Sequence, residues 1–211
     1  MPLEIVSFTL GFAQTNTYLL ADTTTGEAVV IDPAWDGEKI YRAAQQRGWR
    51  IAHLWYTHAH FDHIGGAAGI ADLCNPLPLT ALHPLDYPLW RMKGGATLFG
   101  IPLEDPGPEP SIDLYHGQIL HLGAHTFEVR HAPGHTAGHV MFYCAAQKRL
   151  FCGDVIFSGS IGRTDLPGGD YATLIASIRE QVLTLPDDVT LLPGHGDLTT
   201  VGEERRSNPF L

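Results

Sequence analysis

The chain has 211 residues, of which 44% are apolar and 17% charged; that is enough to bury a sizeable core, and the composition is not that of a disordered segment. Lys and Arg number 13 against 23 Asp and Glu, a net charge of -10, which argues against general binding to nucleic-acid phosphates or to an anionic membrane surface. The longest apolar run, Val140 to Ala146, falls far short of the ~20 residues of a membrane helix.

In chain order, Leu3–Thr9, Asn16–Ala21 and Ala28–Ile31 read as strands, rich in β-branched and aromatic residues between turn signals. Asp36–Arg47 reads as a helix stopped by Gly48. A strand at Ile51–Tyr56, a helix at Asp62–Leu73 and a short strand at Leu79–Leu82 follow. The Pro- and Gly-rich stretch from His83 to Ser111 reads as a long loop or lid, because strand-like sequence resumes directly after it. Strands are expected at Gln118–Leu122, Thr126–Arg130, Val140–Cys144 and Leu150–Cys152. A helix over Asp170–Thr184, a strand at Val189–Leu192 and a terminal helix over Thr200–Arg206 complete the pattern. Two similar halves of strands bracketed by helices predict an α/β architecture of packed sheets covered by helices. The N-terminus has neither a basic region nor a small-residue cleavage site. Cys74, Cys144 and Cys152 suit reduced thiols rather than a disulfide framework, so a cytoplasmic location is expected.

Twelve histidines, nearly as many as all Lys and Arg together, direct attention to metal or acid–base chemistry. Six of them occur within a set of four motifs that each follow an apolar, strand-like run. The densest is Thr57-His58-Ala59-His60-Phe61-Asp62-His63. His58 and His60, two apart on an extended segment, point to one side; Asp62 and His63 open a helix and can address a second centre. An N-cap role for Asp62 would explain that residue alone, but four good ligands in seven positions have no structural use. Pro133-Gly134-His135-Thr136-Ala137-Gly138-His139 places His135 on a glycine turn and His139 at the start of a strand, where it reads as a supporting or core residue. Gly153-Asp154 and Pro193-Gly194-His195-Gly196 are, taken singly, ordinary turns. Residues at strand ends can converge on one rim of a sheet. Together the motifs offer five His and two Asp, too many for one tetrahedral ion but suited to two. Nitrogen and oxygen ligands of this kind fit zinc, iron or manganese.

These motifs, in this order and over nearly the whole chain, resemble the metallo-β-lactamase-fold hydrolase superfamily. Gly153–Asp170 and the ending from Thr199 to Leu211 look like its short glyoxalase II-like branch, the hydroxyacylglutathione hydrolases and their relatives. The resemblance implies a four-layer αβ/βα sandwich formed by one domain over residues 1–211, with two mixed sheets packed together and helices outside. It implies two divalent metal ions, zinc first and iron or manganese next. His58, His60 and His135 would hold the first, Asp62, His63 and His195 the second, and Asp154 would bridge them. The site would then be net positive within an acidic protein and draw an anionic substrate locally. The reaction implied is hydrolysis of a small-molecule thioester, S-lactoylglutathione or a similar acyl thioester, by a hydroxide bridging the metals, with Asp62 and Asp154 catalytic.

Unlike full-length glyoxalase II, the chain is expected to have no C-terminal helical domain to hold glutathione, so the reaction is expected to carry over better than the glutathione preference. Arg163, in Gly162-Arg163-Thr164-Asp165, either pairs with a substrate carboxylate or makes a structural bridge to Asp165 or Asp170. Asp32 is expected to brace the metal loop without ligating, and Arg205 to be structural. Among the remaining histidines, His83 and His131 are the first candidates for a role. A mononuclear-iron persulfide dioxygenase, with His58, His135 and Asp154 as a triad, is the alternative reading. No nucleic-acid or membrane partner is expected, and the oligomeric state is open.

Overall fold

A computed structural model describes residues 2–211. Its first half is a six-stranded mixed sheet in the order β1 (Leu3–Leu10), β2 (Thr15–Asp22), β3 (Glu27–Ile31), β4 (Arg50–Trp55), β5 (Leu79–Leu82) and β6 (Ile112–Asp113). β1 to β3 form an antiparallel meander, and β3 to β6 run parallel. Parallel neighbours need crossovers. Helix α1 (Gly37–Gln46) supplies the one between β3 and β4, and the short helices α2 (Phe61–Ile64) and α3 (Ala67–Ala71) lie in the next.

The second half repeats the plan. After the helix α4 (Tyr87–Arg91), strands β7 (Ile119–Leu122), β8 (His125–His131), β9 (Val140–Cys144) and β10 (Arg149–Gly153) pair antiparallel in sequence. A small hairpin, β11 (Ile156–Phe157) and β12 (Ser160–Ile161), stands apart. Helix α5 (Tyr171–Ser177), prolonged by a π-helical turn over Ile178–Val182, leads to β13 (Thr190–Pro193), which lies parallel to β10. β14 (Thr199–Thr200) and α6 (Val201–Ser207) close the second mixed sheet.

Three apolar clusters define the layers. Leu20, Ile31 and Trp55 of the first sheet meet Phe127, Phe142 and Phe151 of the second, forming the core between the sheets. Ile40, Ile64 and Ile70 cover the outer face of the first sheet, and Leu174, Ile178 and Val201 cover that of the second. Alternate strand residues therefore serve two cores, which is why these strands are apolar on both faces. The expected αβ/βα sandwich with two mixed sheets is the architecture found.

Local departures have physical causes. The helix expected over Asp62–Leu73 breaks into α2 and α3 at Gly65-Gly66, where the Gly66 N–H donates to Pro33 O at 2.9 Å instead of continuing a helix. The stretch after His83 is not wholly irregular: it contains α4 and 3-10 turns over Pro84–Asp86 and Lys93–Phe99. Among the described residues no helix is long and apolar enough to cross a membrane.

Candidate metal centre

The four motifs meet at the rim where β4, β10 and β13 end and the loop after β8 folds over. His58, His60 and His135 form one group, and Asp62, His63 and His195 another. His58, His63 and Asp154 form a third that joins them, the candidate ligand atoms in each group lying within 4.8 Å of one another. His58 Nε2 is 3.0 Å from His60 Nδ1, which is 2.9 Å from His135 Nε2. Asp154 spans the two groups: Oδ1 is 3.3 Å from His63 Nε2, while Oδ2 lies 3.6 Å from His135 Nε2 and 3.5 Å from His195 Nε2. Asp62 Oδ2 sits 3.6 Å from His63 Nε2 and 3.3 Å from His195 Nε2. Ligands around a tetrahedral zinc are spaced roughly 3.3 Å apart, given bonds near 2.0–2.1 Å, so these separations match those of a shared ion.

Hydrogen bonds behind the ligands set their tautomers. The Thr57 hydroxyl has one proton, which it donates to Asp32 Oδ2 at 2.7 Å. Its oxygen then accepts from His58 Nδ1 at 3.0 Å, which leaves a lone pair on His58 Nε2. His135 Nδ1 donates to Arg163 O at 2.7 Å, His63 Nδ1 to Asp32 Oδ2 at 2.9 Å and His195 Nδ1 to Ala13 O at 3.2 Å. Each Nε2 is thereby aimed inward as an acceptor.

Lone pairs on His58, His60 and His135 face one another at 2.9–3.0 Å, and one proton on His60 Nδ1 could serve only one neighbour. Buried His63 Nε2 and Asp154 Oδ1 have no hydrogen-bond partner at all. Cations would satisfy every one of these atoms, and the donor set of imidazoles and carboxylates suits zinc, iron or manganese.

The electrostatics agree. Burial, then the adjacent His63, holds His58 well below the usual histidine range. Burial and His135 push His60 down to about 3. Both are neutral imidazoles, the ligating form. Burial acts against charge on Asp62, but His63 and His195 outweigh it and bring that carboxyl down to about 2. Burial likewise opposes protonation of His195, but the Asp154 and Asp62 carboxylates lift it to about 10. The acidic half of the site thus draws protons wherever no other cation neutralises it.

The framework around the ligands draws on residues remote in sequence. Asp86 is buried, its Oδ2 accepting from Ala59 N at 3.0 Å and Thr136 Oγ1 at 2.8 Å and its Oδ1 from Gly138 N at 2.7 Å. One carboxylate therefore ties the His58–His60 loop to the His135 loop. Asn16 Nδ2 donates to Pro193 O at 3.1 Å and Gly196 O at 2.9 Å, and Tyr18 Oη donates to Pro193 O at 2.7 Å; together they seat the His195 loop. Thr15 Oγ1 donates to Asp62 Oδ2 at 2.9 Å. A side chain at Gly194 would run into Asp154 Oδ1 and His63, so only glycine lets this turn approach the carboxylate. None of Asp86, Asn16, Tyr18 or Thr15 stands out in the sequence, because none lies in a histidine motif. His139 takes a supporting place: its Nε2 accepts from Asp154 N at 3.0 Å, and its ring stacks on His58 at 4.7 Å.

Arg163 contributes its backbone carbonyl to His135, while its guanidinium makes a bidentate pair with Asp165 at 2.7 and 2.8 Å on the exposed surface. This pair is the bridge to Asp165 expected as one of its two roles. Arg205 donates to Leu183 O and Leu185 O, also a structural contact. His83 and His131 stack on each other at 4.3 Å and join none of the ligand groups.

Comparison with known proteins agrees with this geometry. The model of the metallo-beta-lactamase superfamily matches residues 10–195. Hydroxyacylglutathione hydrolase GloC of Haemophilus influenzae is 38% identical over 212 aligned positions, covering 100% of this chain and 98% of that protein. Among solved structures, BLEG-1 B3 metallo-beta-lactamase superposes with a TM-score of 0.88 at 38% identity, covering 99% of both chains. TTHA1623 in a di-iron-bound form superposes at 0.87 with 40% identity, covering 98% of this chain and 100% of the other. The chain belongs to the metallo-beta-lactamase superfamily.

Proposed function

We propose that this protein is a metal-dependent hydrolase that cleaves an acyl thioester, with S-lactoylglutathione as the first substrate to test. The observation that carries the reading is the placement of Asp154 between the two ligand groups: its Oδ2 faces His135 of one and His195 of the other, and its Oδ1 faces His63 of the second. That is the arrangement a pair of cations shares. The name of the Haemophilus influenzae relative supports the thioester, and the di-iron form of TTHA1623 supports two ions.

His58, His60 and His135 would hold one divalent ion and Asp62, His63 and His195 the other, with Asp154 common to both; zinc, iron and manganese all suit the set. When bound, such ions polarise a carbonyl and lower the pKa of water toward ~7. The chain's own residues do the rest. Asp32 and Thr57 fix the inward lone pairs of His63 and His58. Asp62, kept anionic and held by Thr15, presents a carboxylate oxygen that can accept a proton from an attacking O–H. Arg163 O and Ala13 O keep His135 and His195 in register. No serine nucleophile is required.

The complete second group, Asp62, His63 and His195, favours this reading over the single-iron oxygenase, which needs only three ligands and leaves these carboxylate and imidazole groups without a task. Metal analysis paired with S-lactoylglutathione hydrolysis and with persulfide-dependent oxygen uptake tests the proposal. Thiol release that vanishes in Asp154→Ala supports it. Full turnover in that variant, or oxygen uptake without thiol release, contradicts it.

A further inference from the structure

Beside the ligands lies a cavity of about 270 Å³ that His60 helps to line, so it abuts the metal centre. One wall comes from the segment after β5, with Leu85, Met92 and Leu98; the facing wall comes from Ala137 and Leu166. This segment is held against the ligands by close backbone packing. Gly94 and Gly95 both have positive φ (65° and 73°), and a side chain at Gly94 would collide with the backbone of Phe61 and Ala59. Gly94 is therefore obligatory for the wall to sit beside the His60 loop.

The chemistry of the lining is one-sided. It contains no Lys or Arg, and its charged group, Asp86, is buried and spends both oxygens on the ligand loops. Arg91, next to Met92, lies 3.8 Å from Glu109, and Arg163, three residues before Leu166, pairs with Asp165 at 2.7 Å; neither lines the cavity. Lys93 is not part of the lining. Leu85, Met92 and Leu98 are nonetheless 57%, 60% and 64% exposed. Large apolar side chains left open to water around a cavity mark a binding surface. A glutathione thioester brings two carboxylates and an ammonium, for which this lining has no cationic partner.

We infer that the cavity receives the apolar acyl portion of the substrate, and that among acyl thioesters the enzyme prefers a medium-chain, uncharged acyl group over lactoylglutathione. The inference rests on the thioester reading above and names its substrate class. Burial of each methylene is worth about 0.8 kcal/mol, or roughly a threefold to fourfold gain.

The test is kcat/KM of the metal-loaded protein for acetyl, butyryl, hexanoyl and octanoyl thioesters of N-acetylcysteamine, a neutral thiol, beside S-lactoylglutathione. The expected result is a rise of about threefold per methylene until the cavity is filled, with the longer esters exceeding S-lactoylglutathione. Leu98→Arg and, independently, Met92→Arg, both at exposed positions, should flatten the series. A flat series, or S-lactoylglutathione outrunning every neutral ester, overturns the inference and leaves the thioester reading standing. Absence of hydrolysis with every thioester overturns both.

Discussion

Asp32 Oδ2 accepts from His63 Nδ1 at 2.9 Å and from Thr57 Oγ1 at 2.7 Å, with both Asp32 and His63 buried. A residue outside the ligand motifs thus governs the orientation of one ligand of each group, His63 directly and His58 through Thr57. Asp32 adopts a positive φ of 50°, an uncommon conformation for a non-glycine residue, and this turn brings its carboxylate under the metal loop. Such partners usually set metal affinity within a factor of about 10–100. Asp32→Asn keeps the shape but loses the acceptor charge, and metal titration should show affinity falling by roughly that factor with all seven candidate ligands in place.

Asp86 should matter to stability as well as activity. Its carboxylate accepts three hydrogen bonds from two loops, and removing it leaves buried donors unsatisfied. Asp86→Ala is expected to cost about 3 kcal/mol, read as a lower denaturation midpoint in urea, and to raise KM and lower kcat together as the two histidine loops separate.

His195→Ala should separate the two groups. His58, His60 and His135 do not depend on it, so metal analysis should show one ion retained and one lost or weakened. Loss of both ions would mean that the groups form a single cooperative site.

A pH effect is expected away from the centre. Asp22, at the end of β2, accepts from Ala124 N at 2.9 Å and from Thr24 N at 2.8 Å. The Ala124 contact, then that of Thr24, holds its carboxyl below the ordinary value of 3.8. A depressed acid contributes stability that is complete above its unfolded value and is lost as pH falls through its folded value. The wild type should therefore melt higher than Asp22→Asn at pH 7, with the gap closing as pH falls below about 4. A gap independent of pH would contradict this.

Much of this arrangement is legible in the sequence because chemistry and backbone coincide there. His58, His60, Asp62 and His63 lie within one short segment, and His135, Asp154 and His195 each follow an apolar strand, so the turn after it carries the ligand to the rim. The alternation of apolar strands and helices likewise announces two covered sheets. Asp86 is different: its partners at Ala59, Thr136 and Gly138 lie far along the chain, and only the folded loops bring them together. Asn16 and Thr15 are hidden for the same reason, being ordinary strand residues until the His195 loop packs on them and Asp62 accepts from the Thr15 hydroxyl. The break between α2 and α3 depends on Pro33 O, a tertiary contact that outweighs the helical pattern. Arg163 is legible only in part: the motif points to its guanidinium, which pairs with Asp165, whereas the contact of its backbone carbonyl with His135 emerges only in the folded loop.

The most direct test of the account is the metal content of the purified protein and of its Asp154→Ala variant, by elemental analysis. Convergence of the two ligand groups on Asp154 predicts close to two divalent ions per chain in the wild type and a marked loss in the variant. A wild type holding one ion or none after incubation with zinc, iron or manganese, or a variant that keeps the full complement, would contradict it.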